Sequence, residues 1–351
     1  MKLEIGILFF FLLIMFPATG LGQDDAFSML TERYVDRPIA MHRGQLQINT
    51  GYEFSTLSKI FDFKGNILDL GEEGIASAKH LFPLDLKYGI LEFLQVRTSL
   101  NYARMNLRNQ NLNLETYTGI IYSSEIQTWK GFDDLFLGTD LTIPFLPDFI
   151  CWVVSAGIYL PIFNHEPDRP THTIYFLSPY PDSMDIRYQF HNKFGNGVPV
   201  IILGTSLKLR FSKLDVESSF YIEKGLTVGE SIYWQSRLTG GKIEYREIPY
   251  QYDLGQTLNY HSSIAYQAIN WLAVILSYNG MTSYGGWTTE TGKKVGTGKK
   301  SLNSLGVGYD IQVSPHFRLN QFIDIPILGK NIMAYWIFQT GLSLNFIASG
   351  N

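Results

Sequence analysis

Cysteine is almost missing from this chain. Cys151 is the only one among 351 residues, so no intrachain disulfide and no cysteine-based zinc site can form. Its place at the start of an apolar alternating segment fits a packed, inert thiol. Charge is scarce too, with Asp, Glu, Lys and Arg making up 17%, against about 25% in a typical soluble domain. The net charge of −4 comes without any basic stripe, which excludes a nucleic-acid surface. After residue 16 there is no uninterrupted apolar run of helix length, which excludes spanning by helices. A chain like this can cross a membrane only as a closed barrel, because lipid offers no partner to unpaired backbone groups.

The residues that are plentiful are those of strands and membrane interfaces. Tyr 21 and Phe 24 bring aromatics to 15%. Residues 1–22 place one Lys ahead of an apolar run over 5–16, then small residues ending at Gly20 and Gly22. This is the layout of a secretory signal peptide, and no Cys follows it to accept a lipid. Residues 23–43 are polar and read as a periplasmic leader, 44–346 as the barrel and 347–351 as a C-terminal tail.

The pattern is clearest in 132–162. Leu135, Leu137, Leu141 and Ile143 alternate with Asp134, Phe136, Asp140 and Thr142, and after a Pro-containing turn Trp152, Val154, Ala156 and Ile158 alternate with Ser155, Gly157 and Tyr159. Side chains of a strand point to opposite faces in turn, so one face here is apolar and the other small and polar. That is a strand with lipid outside and a wet interior inside. The same parity recurs near 44–54, 80–90, 93–104, 197–210, 213–222, 256–268, 271–280, 302–312, 316–325 and 334–346. With the two segments of 132–162, this predicts an all-β, antiparallel up-and-down transmembrane barrel of twelve strands, an even number as single-chain bacterial barrels have.

Short connections alternate with long ones near 55–79, 105–131, 162–196, 223–255, 281–301 and 326–333. Outer-membrane barrels have short periplasmic turns and long extracellular loops, so the alternation sets the orientation in a bacterial outer membrane. Within 223–255 the segments 230–237 and 242–252 flank Gly240-Gly241 like a hairpin. If that hairpin entered the wall, the barrel would have fourteen strands.

Several segments resemble a known family. Asp36-Arg37-Pro38, GQLQI at 44–48, YGILEFLQVR at 88–97 and GFDDLFLG at 131–138 resemble the outer-membrane barrels of the meta-pathway phenol-degradation transporter family. The resemblance implies uptake of small hydrophobic or aromatic solutes by a barrel folded by the barrel-assembly machinery. One departure is the end of the chain, where Phe346 is followed by Ile-Ala-Ser-Gly-Asn rather than closing on the aromatic.

Parity assigns Glu53, Asp85, Lys87, Arg97, Asp134, Asp140, Lys208, Arg210, Asp215, Glu217, Asp310, Arg318 and Asp324 to the interior. Such charges either pair across strands and fill the barrel or, with Tyr159 and Tyr221, line a conduit. The lumen-lining candidates are Glu53, Arg97, Asp134, Asp140, Tyr159, Lys208, Arg210, Glu217, Arg318 and Asp324. His165, Glu166, Asp168 and His172 cluster in one long loop; the reading is a solvated loop rather than a metal site. His261 and Ser263 share a face and raise a lipid-hydrolase alternative, but parity turns them inward, away from a lipid substrate. A third reading is a non-conducting structural or adhesion barrel. No enzyme activity, metal or cofactor is expected. The expected partners are outer-membrane lipid, lipopolysaccharide meeting the Lys-rich loop 282–300, and a small solute, with the barrel monomeric.

Overall fold

Period-two alternation over long segments leaves each strand with one face for lipid and one for water, and only a closed sheet satisfies both faces and every backbone group. The computed structural model describes residues 41, 43–68, 75–110, 114–116, 119–146, 149–163, 171–176, 183–187, 196–239, 242–290, 293–314 and 316–347. The signal-peptide and leader segments, apart from residues 41 and 43, and the C-terminal tail beyond residue 347 lie outside them.

Twelve staves form the wall: β1 (Gln45–Phe61), β2 (Ile75–Leu91), β3 (Leu94–Gln110), β4 (Leu135–Leu146), β5 (Ile150–Leu160), β6 (Val200–Phe211), β7 (Leu214–Gly225), β8 (Gln256–Ile269), β9 (Leu272–Tyr284), β10 (Lys300–Ser314), β11 (Phe317–Lys330) and β12 (Ile332–Ile347). Each pairs antiparallel with its neighbours in the chain, and β1 closes the ring on β12, from Gln45↔Ile347 to Phe61↔Ile332. Among the described residues there is no helix.

The hairpin of Gly229–Thr239 and Lys242–Asp253 does not enter the wall. It pairs with Ser183–Arg187 on one side and with Trp287–Glu290 on the other, in a separate five-stranded sheet at the loop end. The barrel therefore has twelve strands and not fourteen. The segment 326–333, expected as a long loop, is instead a tight turn at Asn331 (φ 52°), because β11 and β12 run on to it. The segment expected as one strand over 132–143 is interrupted at Asp133 and Asp134. Below the break β4 pairs with β3 and β5, and above it the strand Gly119–Phe132 continues beside β3.

The outer face carries aromatic rows at both ends. Toward the turns it exposes Phe145, Phe149, Trp152, Phe211, Tyr266, Trp271 and Phe346, and toward the loops Tyr52, Phe82, Tyr102 and Phe132. Between them lie aliphatic side chains such as Leu137, Leu141, Val154, Leu276, Val307 and Ile323. An apolar band flanked by aromatic girdles is how a transmembrane barrel meets its bilayer.

Candidate functional site in the barrel lumen

Within the membrane-spanning part of the wall most charged side chains sit at inward positions, and register decides who meets whom. The two-residue turn at Ser212 (φ 50°) and Lys213 aligns β6 with β7. It thereby places Lys208 opposite Glu217 and Arg210 opposite Asp215. Their ion pairs measure 3.5 Å and 2.9 Å. On the far side of the ring Arg318 reaches Asp310 at 4.0 Å and the Ser343 hydroxyl at 3.3 Å. Ser343 in turn donates to Asn49, and Gln339 donates to Glu53 at 2.9 Å. Cross-strand pairing of opposite charges is how a closed interior keeps ions at low cost.

Asp140 accepts from Gln95 at 2.7 Å and faces Arg97 Nε at 3.7 Å. The Arg97 guanidinium lies 4.8 Å from the centroid of Phe136, a cation–π distance, and Phe136 packs on Tyr159 at 5.0 Å. These rings fit because Gly138 and Gly157 lie beneath Phe136; a Cβ on Gly157 would come within 2.5 Å of the ring. Tyr221 covers Gly204 in the same manner. Gly138 and Gly157 face each other across β4 and β5, the next inward pair along from Phe136 and Tyr159, and Tyr221 lies directly opposite Gly204.

Asp134 has a different task. Its carboxylate is buried at the break between β4 and Gly119–Phe132, and it accepts the Asn196 backbone N–H at 2.6 Å. The Asn196 carbonyl accepts the Tyr252 phenol at 2.8 Å, so the interruption in the wall is tied to the loop-end sheet. Burial pushes the Tyr252 phenol up to about 12, with Tyr250 and Asp134 adding repulsion.

Three cavities lie in file. The first, about 430 Å³, sits under the loop-end sheet between Tyr250, Tyr252 and the tops of β7, β8 and β9. A second of about 450 Å³ is lined by Arg97, Phe136, Tyr159, Tyr221 and Asn259 and shares Glu223 with the first. The third, about 570 Å³, includes Glu53, Glu217, His261, Ser263 and Arg318 and shares Asp85 and Lys87 with the second. Of the sequence-predicted residues, Arg97 and Tyr159 line the second cavity and Glu53, Glu217 and Arg318 the third. Asp140, Lys208 and Arg210 are engaged in the pairs above, and Asp324 accepts from Asn279 at 2.9 Å. Parity places Asp85, Lys87 and Tyr221 inward and sets Asn259 on the inward face of His261 and Ser263, whereas Glu223 is a lining residue that the sequence does not single out; Asn259 donates to Glu223 at 2.8 Å.

His261 and Ser263 face inward, and the imidazole Nδ1 is engaged by Asn279 at 2.5 Å rather than by the serine. His165, Glu166 and Asp168 lie outside the described residues, as does the side chain of His172. Among the described residues no group of three His, Cys, Asp or Glu is placed to hold a metal ion. Cys151 is buried as a free thiol.

No family model and no curated protein matches the chain. Among solved structures, an outer membrane channel from Pseudomonas putida F1 superimposes with a TM-score of 0.57 at 10% identity, over 88% of this chain and 97% of that one. The Ralstonia pickettii toluene transporter TbuX gives a TM-score of 0.44 at 9% identity, over 94% and 95% of the two chains. The CymD monoaromatic hydrocarbon channel gives 0.44 at 10% identity, over 88% and 90%. The likeness to the first is one of fold, and with the closed ring and apolar band it gives the chain the architecture of a twelve-stranded bacterial outer-membrane β-barrel.

Proposed function

We propose that this barrel is a channel for small hydrophobic or aromatic solutes, with the short turns and the first and last residues of the barrel segment on the periplasmic side. Residues 1–22 would direct export and 23–43 would form a periplasmic leader. The observation that carries the reading is the file of three neighbouring cavities, the first two sharing Glu223 in their linings and the last two sharing Asp85 and Lys87. A barrel filled for stability alone would close those spaces with side chains, as eight-stranded barrels do. Phe136, Tyr159 and Tyr221 give the middle cavity aromatic faces on which a flat solute can pack, beside the ionisable side chains of Asp85, Lys87, Arg97 and Glu223. The family resemblance of the segments at 44–48, 88–97 and 131–138 points the same way.

The test is solute flux. Wild-type protein in liposomes should admit a small aromatic compound faster than protein-free liposomes. Lys87→Trp should slow entry, because its bulk falls at the junction shared by two cavities. Liposomes that stay tight to every small solute with correctly folded protein present would defeat the proposal.

A further inference from the structure

Two adjacent in-register rows cross the outer face of β1, β2, β3 and Gly119–Phe132. The first is aromatic: Phe82 lies opposite Tyr102 and Tyr102 opposite Phe132, while Tyr52 packs on Phe82 at 5.3 Å. One step nearer the loop end the row changes character. Phe54 lies opposite His80, His80 opposite Arg104, and Arg104 opposite Lys130. Arg104 and Lys130 are exposed and His80 half-buried. The Tyr52 phenol meets His80 Nδ1 at 2.7 Å, which fixes the ring and leaves Nε2 for another partner.

This placement is electrostatically costly in isolation. Like charges directly opposite one another across a strand pair are destabilising. On the same strands no Asp or Glu holds an outward position from this row down to the turn end. Among the described residues, neither Arg104 nor Lys130 has a carboxylate within ion-pair distance. The aromatic row beneath them marks the boundary of the hydrocarbon, since such rings sit at head-group level. The cations therefore stand in the head-group layer of the leaflet facing the loops. A phosphate offers three oxygens to such a row, and an arginine fork matches it in two parallel hydrogen bonds.

We propose that His80, Arg104 and Lys130 form a binding site for a phosphate group of lipid A, the phosphorylated glycolipid anchor of lipopolysaccharide, with the Tyr52–Phe82–Tyr102–Phe132 row against its acyl chains. The site is independent of whether the lumen conducts.

The test uses the full-length protein in detergent micelles and two probes: lipid A with both phosphates, and the same lipid A with its phosphates removed. Wild type should prefer the phosphorylated lipid. R104Q/K130Q should lose about thirty-fold in affinity for it, which is about 2 kcal/mol at about 1 kcal/mol per cation. Lys213→Gln, at the turn end, should lose nothing. Equal wild-type affinity for the two lipids overturns the proposal, as does undiminished binding by the double variant with its barrel intact on heat-modifiable gels. Should the double variant fail to fold, the two-lipid comparison on wild type still decides.

Discussion

Gly157 is the position where a single methyl group ought to report on the lumen. A Cβ there would meet Phe136 Cζ at 2.5 Å and Cε2 at 2.6 Å, and the Leu137 carbonyl oxygen at 2.9 Å. The ring can move, but only toward the cavity it lines; the carbonyl belongs to the β4–β5 ladder and cannot. Gly157→Ala should therefore destabilise the barrel by about 1–3 kcal/mol, the usual range for overpacking, and push Phe136 into the middle cavity. Phe136→Leu removes the ring and should relieve part of that cost, so the two substitutions should couple by about 0.5–3 kcal/mol in a double-mutant cycle. The stability assay is urea unfolding of the protein refolded in lipid vesicles, followed by tryptophan fluorescence. Solute flux through the same vesicles gives the functional readout: lower in Gly157→Ala, and restored in the double variant. Additive unfolding free energies with unchanged flux would refute the placement of Phe136 over Gly157.

Three further outcomes are expected. Arg210→Met leaves the Asp215 carboxylate without its 2.9 Å partner. Since the two side chains are 12% and 17% exposed, the loss should be about 1–3 kcal/mol in urea unfolding, less than for a fully buried pair, and Arg210→Met with Asp215→Leu should recover most of it. Tyr252 should be a late-titrating phenol near pH 12 in an absorbance titration at 295 nm, and Tyr252→Phe should lower the amplitude there by one phenol. The sign follows from the raised folded-state value: the stability it contributes is fully present below the ordinary phenol value near 10 and is lost as pH rises through about 12. Leu276→Arg, which points a cation at lipid, should cost up to about 2–4 kcal/mol. Ser263→Arg, inward and opposite Glu217, should cost little by the same assay.

Most of the wall could be read from the residues because lipid and lumen impose opposite demands on alternate positions, as at Leu137 and Asp140 or Trp152 and Ser155. Where that contrast ends, so does the signal. Above the aromatic row both faces meet polar surroundings, so the continuation of β11 and β12 to Asn331 looked like a loop. The hairpin 229–253 alternates as a wall strand would, and only its pairing with Trp287–Glu290 shows that it belongs to the loop-end sheet. In the lumen, parity told which charges face inward but not their partners. Those depend on register, set for Lys208 and Glu217 by the turn at Ser212. The capture of Asn196 by Asp134 joins residues 62 positions apart and left no local pattern.

The central claim is that the file of cavities is a path. Single-channel recording in planar bilayers tests it most directly, comparing wild type with Lys87→Trp at the junction of the second and third cavities. A path gives discrete conductance steps in wild type that shrink or vanish in Lys87→Trp while the barrel stays folded. Silent bilayers with folded wild-type protein, or steps of the same size in both proteins, would contradict it.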